Sequence, residues 1–190
     1  MPEDHFPQPY GPWVINKRSI IYHDPWLKVT RDDVTRPDGT PGTYCISHMK
    51  PGVCVLALDC HGNCHLTEEF HYAVGRVTIE CVSGGIDGNE DPLETARREL
   101  AEELGLVAAK WTDLGMVDPF TAIAFSPTRL FLAEELKETN TSPELTEVIQ
   151  HIVIPFKQVL KMVLESEIAH APSCTAILKS WLIKSIEFKD

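Results

Sequence analysis

The chain has 190 residues, 43% hydrophobic and 24% charged, which is enough for one well-buried domain or one domain with a small appendage. Its formal net charge of −11 argues against holding a nucleic-acid backbone on a broad basic surface, yet leaves room for a small anion beside a bound cation. No stretch approaches the roughly 18 apolar residues of a membrane span, and the opening MPEDHFPQPYG lacks the basic and apolar regions of a signal peptide.

Residues 1–12 read as a flexible tail. Residues 13–49 read as an antiparallel strand region: "WVINKRSIIYHD", "PWLKVTRDDVTRPDG" and "TPGTYCISHM" alternate and are broken by Asp-Pro, Pro-Asp-Gly and Pro-Gly turns. Three such strands bury too little to stand alone, so they should pack on the rest of the chain or on a second copy. Pro51 and Gly52 mark a boundary, and residues 50–190 form the main domain. "VCVLALD" and "CHLTEEF" form a hairpin in which Gly62-Asn63 can supply positive φ. "RVTIECV" is a strand running into two glycines. "LGMVD" and "TRLFLAEEL" are strands joined by a loop over 119–127, a polar loop covers 138–144, and "VIQHIVIP" is a further strand. After Pro155, "FKQVLKMVLES" and "TAILKSWLIKSI" turn helical. The order is mixed α/β (α+β), a mixed sheet with helices packed on it, without regular strand–helix alternation. With no export signal, Cys45, Cys54, Cys60, Cys64, Cys81 and Cys174 are expected reduced and the location cytoplasmic.

"GGIDGNEDPLETARRELAEELGL" crowds acid onto a helix. Asp91 is its N-cap, Pro92 its first residue and Gly105 its stop. Leu93, Ala96, Leu100 and Leu104 make the buried stripe, with Glu99, Glu102 and Glu103 on the flank beside it. Two readings fit that flank: a solvated face paired with Arg97 and Arg98, or an oxygen site for a hard divalent cation. The spacing favours the second. Gly84, five residues, Glu90, seven residues, Arg98-Glu99-Leu100, one residue, Glu102-Glu103, one residue and Gly105-Leu106 resembles the Nudix box at every specified position. Chance assembly is on the order of one in 10^9 per start point.

The resemblance implies a Nudix fold, with a mixed sheet sandwiched between helices, and Mg2+ (or Mn2+) held by Glu99, Glu102, Glu103 and the Ser83 carbonyl. Arg98 then orients the glutamates, and Glu90 is structural. The water-activating base is a box glutamate such as Glu102 or a later loop glutamate, Glu144 or Glu147, with Glu147 favoured by its place before "VIQHIVI". Beyond the box, "WLKVTRDDVTRPDGTPGTYCI", "IECVSGGIDGNE" and "LFLAEEL" are similar to the ADP-ribose and nucleotide-sugar pyrophosphatase branch. That implies hydrolysis of a nucleoside diphosphate sugar to a nucleoside monophosphate and a sugar phosphate. It also implies a homodimer that exchanges its N-terminal strands. The alternatives are a dinucleotide or triphosphate substrate, or a sensor that does not hydrolyse. Glu80 matches the branch's first glutamate, and His71 stands where a substrate-side arginine is usual. Val82-Ser83 replaces Pro-Ala, and "DPFTAIAFSPT" replaces a loop that often carries a glutamate. These departures bear on which diphosphate is taken.

Other residues suggest contacts. Arg76 could reach a phosphate or form a surface ion pair, and Phe120, with Phe70 and Tyr72, could stack on a base or belong to the core. Cys60, His61, Cys64 and His65 straddle a tight hairpin whose alternation splits them between faces, against a zinc site.

Overall fold

The computed structural model describes residues 5–139 and 148–187. In chain order the elements are β1 (Gln8–Tyr10), β2 (Trp13–His23), β3 (Leu27–Thr35), β4 (Pro41–Met49), β5 (Gly52–Leu58), β6 (Asn63–His71), β7 (Arg76–Glu80) and β8 (Val82–Gly85). There follow α1 (Pro92–Leu104), β9 (Leu106–Val117), β10 (Ala124–Phe125), β11 (Thr128–Glu138), β12 (Gln150–Pro155), α2 (Phe156–Leu164) and α3 (Ala171–Glu187). The chain divides into two compact units. The first runs to Lys50 and takes back Phe120–Ser126; the second holds Pro51–Pro119 and the chain from Pro127 onward.

The first unit is one sheet in the order β1-β2-β3-β4-β10, antiparallel except where β10 lies parallel to β4. Two elements of it were not expected. Gln8–Tyr10, inside the segment read as a tail, pairs with Trp13–Ile15, and Ala124–Phe125, inside the segment read as a loop, pairs with Ser47 and His48. Among its buried side chains is a charge: Asp32 is 2% exposed and receives Arg18 Nε at 2.7 Å and Nη2 at 2.6 Å. A bidentate pair is what permits a carboxylate to be buried there. A cavity of about 300 Å³ beside it is lined by Trp13, Tyr44 and Phe125.

The second unit is a mixed sheet in the order β12-β6-β5-β11-β9, with β5 and β11 parallel, β7 added to β6 and β8 to β5. Its central strand β5, "GVCVLAL", is apolar throughout because both faces are covered. Val53, Val55 and Ala57 point toward Ala96, Leu100 and Leu104 of α1. Cys54, Leu56 and Leu58 point the other way, toward Phe156, Val159 and Met162 of α2 and Ala176 and Ile177 of α3. This is the expected sheet sandwiched between helices, produced by period-two alternation on one strand.

The helix ends are as read. Asp91 accepts a hydrogen bond from Leu93 N–H at 2.9 Å, and Gly105 adopts φ 62°, ψ 37°, the left-handed stop. In the β5–β6 hairpin Gly62 alone carries positive φ, while Asp59 Oδ1 accepts from His61 and Asn63 N–H. "RVTIECV" is not one strand. It breaks at Cys81: β7 pairs with β6, then β8 pairs with β5. The Cys81 N–H, between the two ladders, donates to Ser173 Oγ at 2.9 Å. Among the described residues no helix is long and apolar enough to cross a membrane.

Candidate active site

Strand β8 delivers Ser83, Gly84 and Gly85 against the acidic face of α1. A Cβ built on Gly84 would lie 2.0 Å from Glu99 Cδ and Oε1. The glycine is there for close approach, since any side chain would occupy the space of the Glu99 carboxylate.

Arg98, half-buried, ties the cluster. Its Nη2 lies 2.9 Å from Glu99 Oε1, its Nη1 2.9 Å from Glu102 Oε2 and its Nε 3.5 Å from Glu90 Oε1. Burial works against its charge, but the charge of Glu99 and the hydrogen bonds of Glu102 and Glu90 outweigh that and raise its pKa. The hydroxyl of Thr95 first, and Arg98 after it, hold the Glu90 carboxyl below its ordinary value. So the guanidinium, not solvent alone, is what keeps these acids close. Glu103 stands half-buried one turn along from Glu99. Among the described residues no three acid, histidine or cysteine side chains form a ready cage for an ion. The donors near Gly84 nevertheless include the Glu99 and Glu102 carboxylates and backbone carbonyl oxygens, kinds a hard divalent cation takes.

Behind the glycines, a cleft of about 570 Å³ is lined by His71, Arg76, Thr78, Glu80, Ser83 and His170, among others. It gathers four residues singled out from sequence (His71, Arg76, Glu80 and Ser83) and one that was not, His170. Glu80 Oε2 is 2.9 Å from His170 Nδ1, and Oε1 accepts from Thr78 Oγ1 at 2.7 Å and lies 3.4 Å from His71 Nε2. Burial works to raise the Glu80 carboxyl, but the hydrogen bond and charge of His170, then Thr78 and His71, bring it below its ordinary value. Burial likewise works to lower the His170 imidazole, and the Glu80 hydrogen bond and charge raise it above 6.5.

Linkage gives the pH dependence. A raised histidine pKa contributes stability that is complete below 6.5 and is lost as pH rises through the folded value. The lowered Glu80 pKa contributes stability above the ordinary 4.5 that is lost as pH falls. Thermal melts should therefore show a midpoint that declines above pH 6.5, a decline that His170→Gln abolishes. An unchanged slope in that variant would refute the pair's role.

Phe120 falls in the first unit, and Glu144 and Glu147 lie outside the described residues. Of the cysteine–histidine group on the hairpin, Cys60 is exposed while Cys64 faces the core, where burial, then Asp59, pushes its thiol up to about 12. His65 Nδ1 meets His151 Nε2 at 2.9 Å. The group does not converge.

Comparison with known proteins bears on this geometry. The model of the NUDIX domain matches residues 48–173, and that of the nucleoside diphosphate sugar hydrolase N-terminal domain matches residues 13–46. An ADP-ribose pyrophosphatase of Bacillus subtilis is 30% identical over 77% of this chain and 80% of its own. One from Mycobacterium tuberculosis is 29% identical over 78% of this chain and 73% of its own. A solved structure described as an ADP compounds hydrolase superposes with a TM-score of 0.76 at 20% identity, covering 90% of this chain and 94% of that one.

Proposed function

Since the chain belongs to the NUDIX domain family, we propose that this pyrophosphohydrolase cleaves the diphosphate of a nucleoside diphosphate sugar, ADP-ribose or a close relative, with Mg2+ or Mn2+. The observation that carries the reading is the seating of Glu99 on Gly84, with Arg98 gathering the neighbouring acids. It supports the box as a working site rather than a solvated acidic face.

Glu99, Glu102, Glu103 and the Ser83 carbonyl would hold the ion, which supplies charge for the phosphoryl oxygens and acidifies a bound water. Arg98 restrains Glu99 and Glu102 against their mutual repulsion, so the carboxylates stay in place when no cation balances them. Glu147, or failing it Glu144 or Glu102, takes the proton as water adds to phosphorus. The bridging P–O bond breaks, and a nucleoside monophosphate and a sugar phosphate leave. The His71, Arg76 and Glu80 cleft receives part of the substrate.

The test is product release from ADP-ribose, other nucleotide sugars, a dinucleotide and a triphosphate, each with metal and with chelator. Metal-dependent cleavage favouring a nucleotide sugar supports the reading. Cleavage of the triphosphate or dinucleotide alone replaces its substrate, and no cleavage of any member removes it.

The protein is further read as cytoplasmic, in keeping with six free cysteines, and as a homodimer through its first unit. That unit buries Ile15 and Val34 yet exposes Ile20, Ile21, Tyr22 and Trp26, more apolar surface than a lone sheet comfortably leaves in water. Light scattering should give twice 21.3 kDa. A single chain's mass would end the dimer reading.

A further inference from the structure

His170 has one engaged ring nitrogen and one that is not. Nδ1 lies 2.9 Å from Glu80 Oε2 and 2.8 Å from Ser173 Oγ. An ionised carboxylate only accepts, so Nδ1 carries the proton in this arrangement. Ser173 is correspondingly committed. Its oxygen accepts the Cys81 N–H at 2.9 Å and lies 3.8 Å from Cys54 Sγ. Three elements thus fix one imidazole: β7 through Glu80, the first turn of α3 through Ser173, and the β7–β8 break behind it.

The second nitrogen, Nε2, has no partner among the described residues, and it is not among the buried polar atoms left without one. His170 lines the cleft and its Nε2 is not sealed from solvent, which leaves that nitrogen free to meet a ligand there. Arg76 also lines the cleft and makes no side-chain hydrogen bond or ion pair among the described residues. A carboxylate that orients an imidazole, leaving the far nitrogen to face a cavity, is how a histidine is prepared to meet a ligand.

We infer that His170 is a substrate-contacting residue of the hydrolase, its imidazolium form donating from Nε2 to an oxygen of the diphosphate compound. Glu80 is its positioning residue rather than a ligand in its own right. The inference rests on the pyrophosphatase reading and adds to it a contact supplied by the start of α3, away from the box. Ser83 lies three residues beyond Glu80, at most about 10 Å away even if the chain ran straight through the break at Cys81, so the contact falls on a part of the substrate adjoining the scissile diphosphate. With Nδ1 held by Glu80, a protonated His170 presents Nε2–H, and Arg76 adds a second donor for the same or a neighbouring oxygen.

The test uses the full chain with 15N-labelled histidine, chelator present, titrated with ADP-ribose and separately with its two halves, AMP and ribose 5-phosphate. His170→Gln assigns the resonance. The expected result is that ADP-ribose shifts His170 Nε2 while Nδ1 stays in place, and that one half reproduces the shift, telling which oxygen is met. In turnover assays His170→Gln raises KM about tenfold, the worth of one charge-assisted hydrogen bond, with kcat within about twofold. Glu80→Gln, which keeps the shape but loosens the ring, raises KM less and lets Nδ1 move as well. A purely structural His170 would lower the melting midpoint and leave both Nε2 and KM unmoved, which overturns the inference. So does any titration in which ADP-ribose shifts other resonances and not Nε2, or in which nothing binds. Wild-type turnover on the metal-dependent panel is scored separately: intact turnover with a silent Nε2 removes only this inference, and absent turnover strikes the pyrophosphatase reading itself.

Discussion

Glu103→Gln should lower kcat by a factor on the order of 10^3, with the fold intact. The substitution keeps the shape of the side chain and deletes one charge from a group whose charge is its purpose. If Glu99, Glu102 and Glu103 together bind a divalent ion at the diphosphate, a neutral amide in their midst forfeits about 4 kcal/mol of transition-state stabilisation. Stability should move by no more than about 0.5 kcal/mol, because the residue is half-buried on a helix flank already dense with like charge. Steady-state kinetics beside a thermal melt decides it. Retained turnover in a folded variant would return the acidic face to the role of a solvated surface.

Gly84→Ala should be nearly as damaging by a different route. The new methyl would lie 2.0 Å from the Glu99 carboxylate and 2.4 Å from its Cγ, so Glu99 must move by about 1 Å. Displacement of that size in a positioned group costs roughly 10^2 in rate. Because the colliding atoms end a flexible side chain and the backbone at Gly84 is not left-handed, folding should weaken by only about 1 kcal/mol. Gly88→Ala is the matched control. Gly88 has φ +56° and nothing within 4 Å of a built Cβ, so alanine there strains the backbone by about 1–2 kcal/mol and should leave kcat unchanged. If both variants lose activity equally, the loop and not the Glu99 contact is what matters.

The contrast between these two glycines shows what was legible beforehand. The box helix could be read to the residue because its determinants are local: Asp91, Pro92 and Gly105 each act within one turn, and the Ala96, Leu100 and Leu104 stripe repeats at helical spacing. The sheet of the second unit could be anticipated from continuous apolar runs such as β5. The short strand Ala124–Phe125 could not, because its extended form exists only through pairing with β4. The break at Cys81 was hidden for a similar reason. "RVTIEC" alternates, and the one irregularity, Val82 following Cys81, is too slight to mark a break without the exchange of ladder partners that separates β7 from β8. His170 carried no local signal whatever. Its meeting with Glu80 is made by tertiary packing between β7 and the first turn of α3, and a histidine followed by Ala-Pro-Ser reads as an ordinary helix entry. Gly62 takes the positive φ of the hairpin turn without Asn63, whose N–H is held by Asp59 Oδ1.

The strand break at Cys81 also bears on how such a chain can diversify. Residues before it pair with β6 and residues after it pair with β5 beside the acidic helix, with Ser173 pinning the joint and Ser83 still lining the cleft. Mutations on the first side can drift toward new ligands without disturbing the geometry on the second. If the cleft recognises and the box cuts, selection acts on the two as partly separate traits, joined through the chain and the Cys81–Ser173 hydrogen bond.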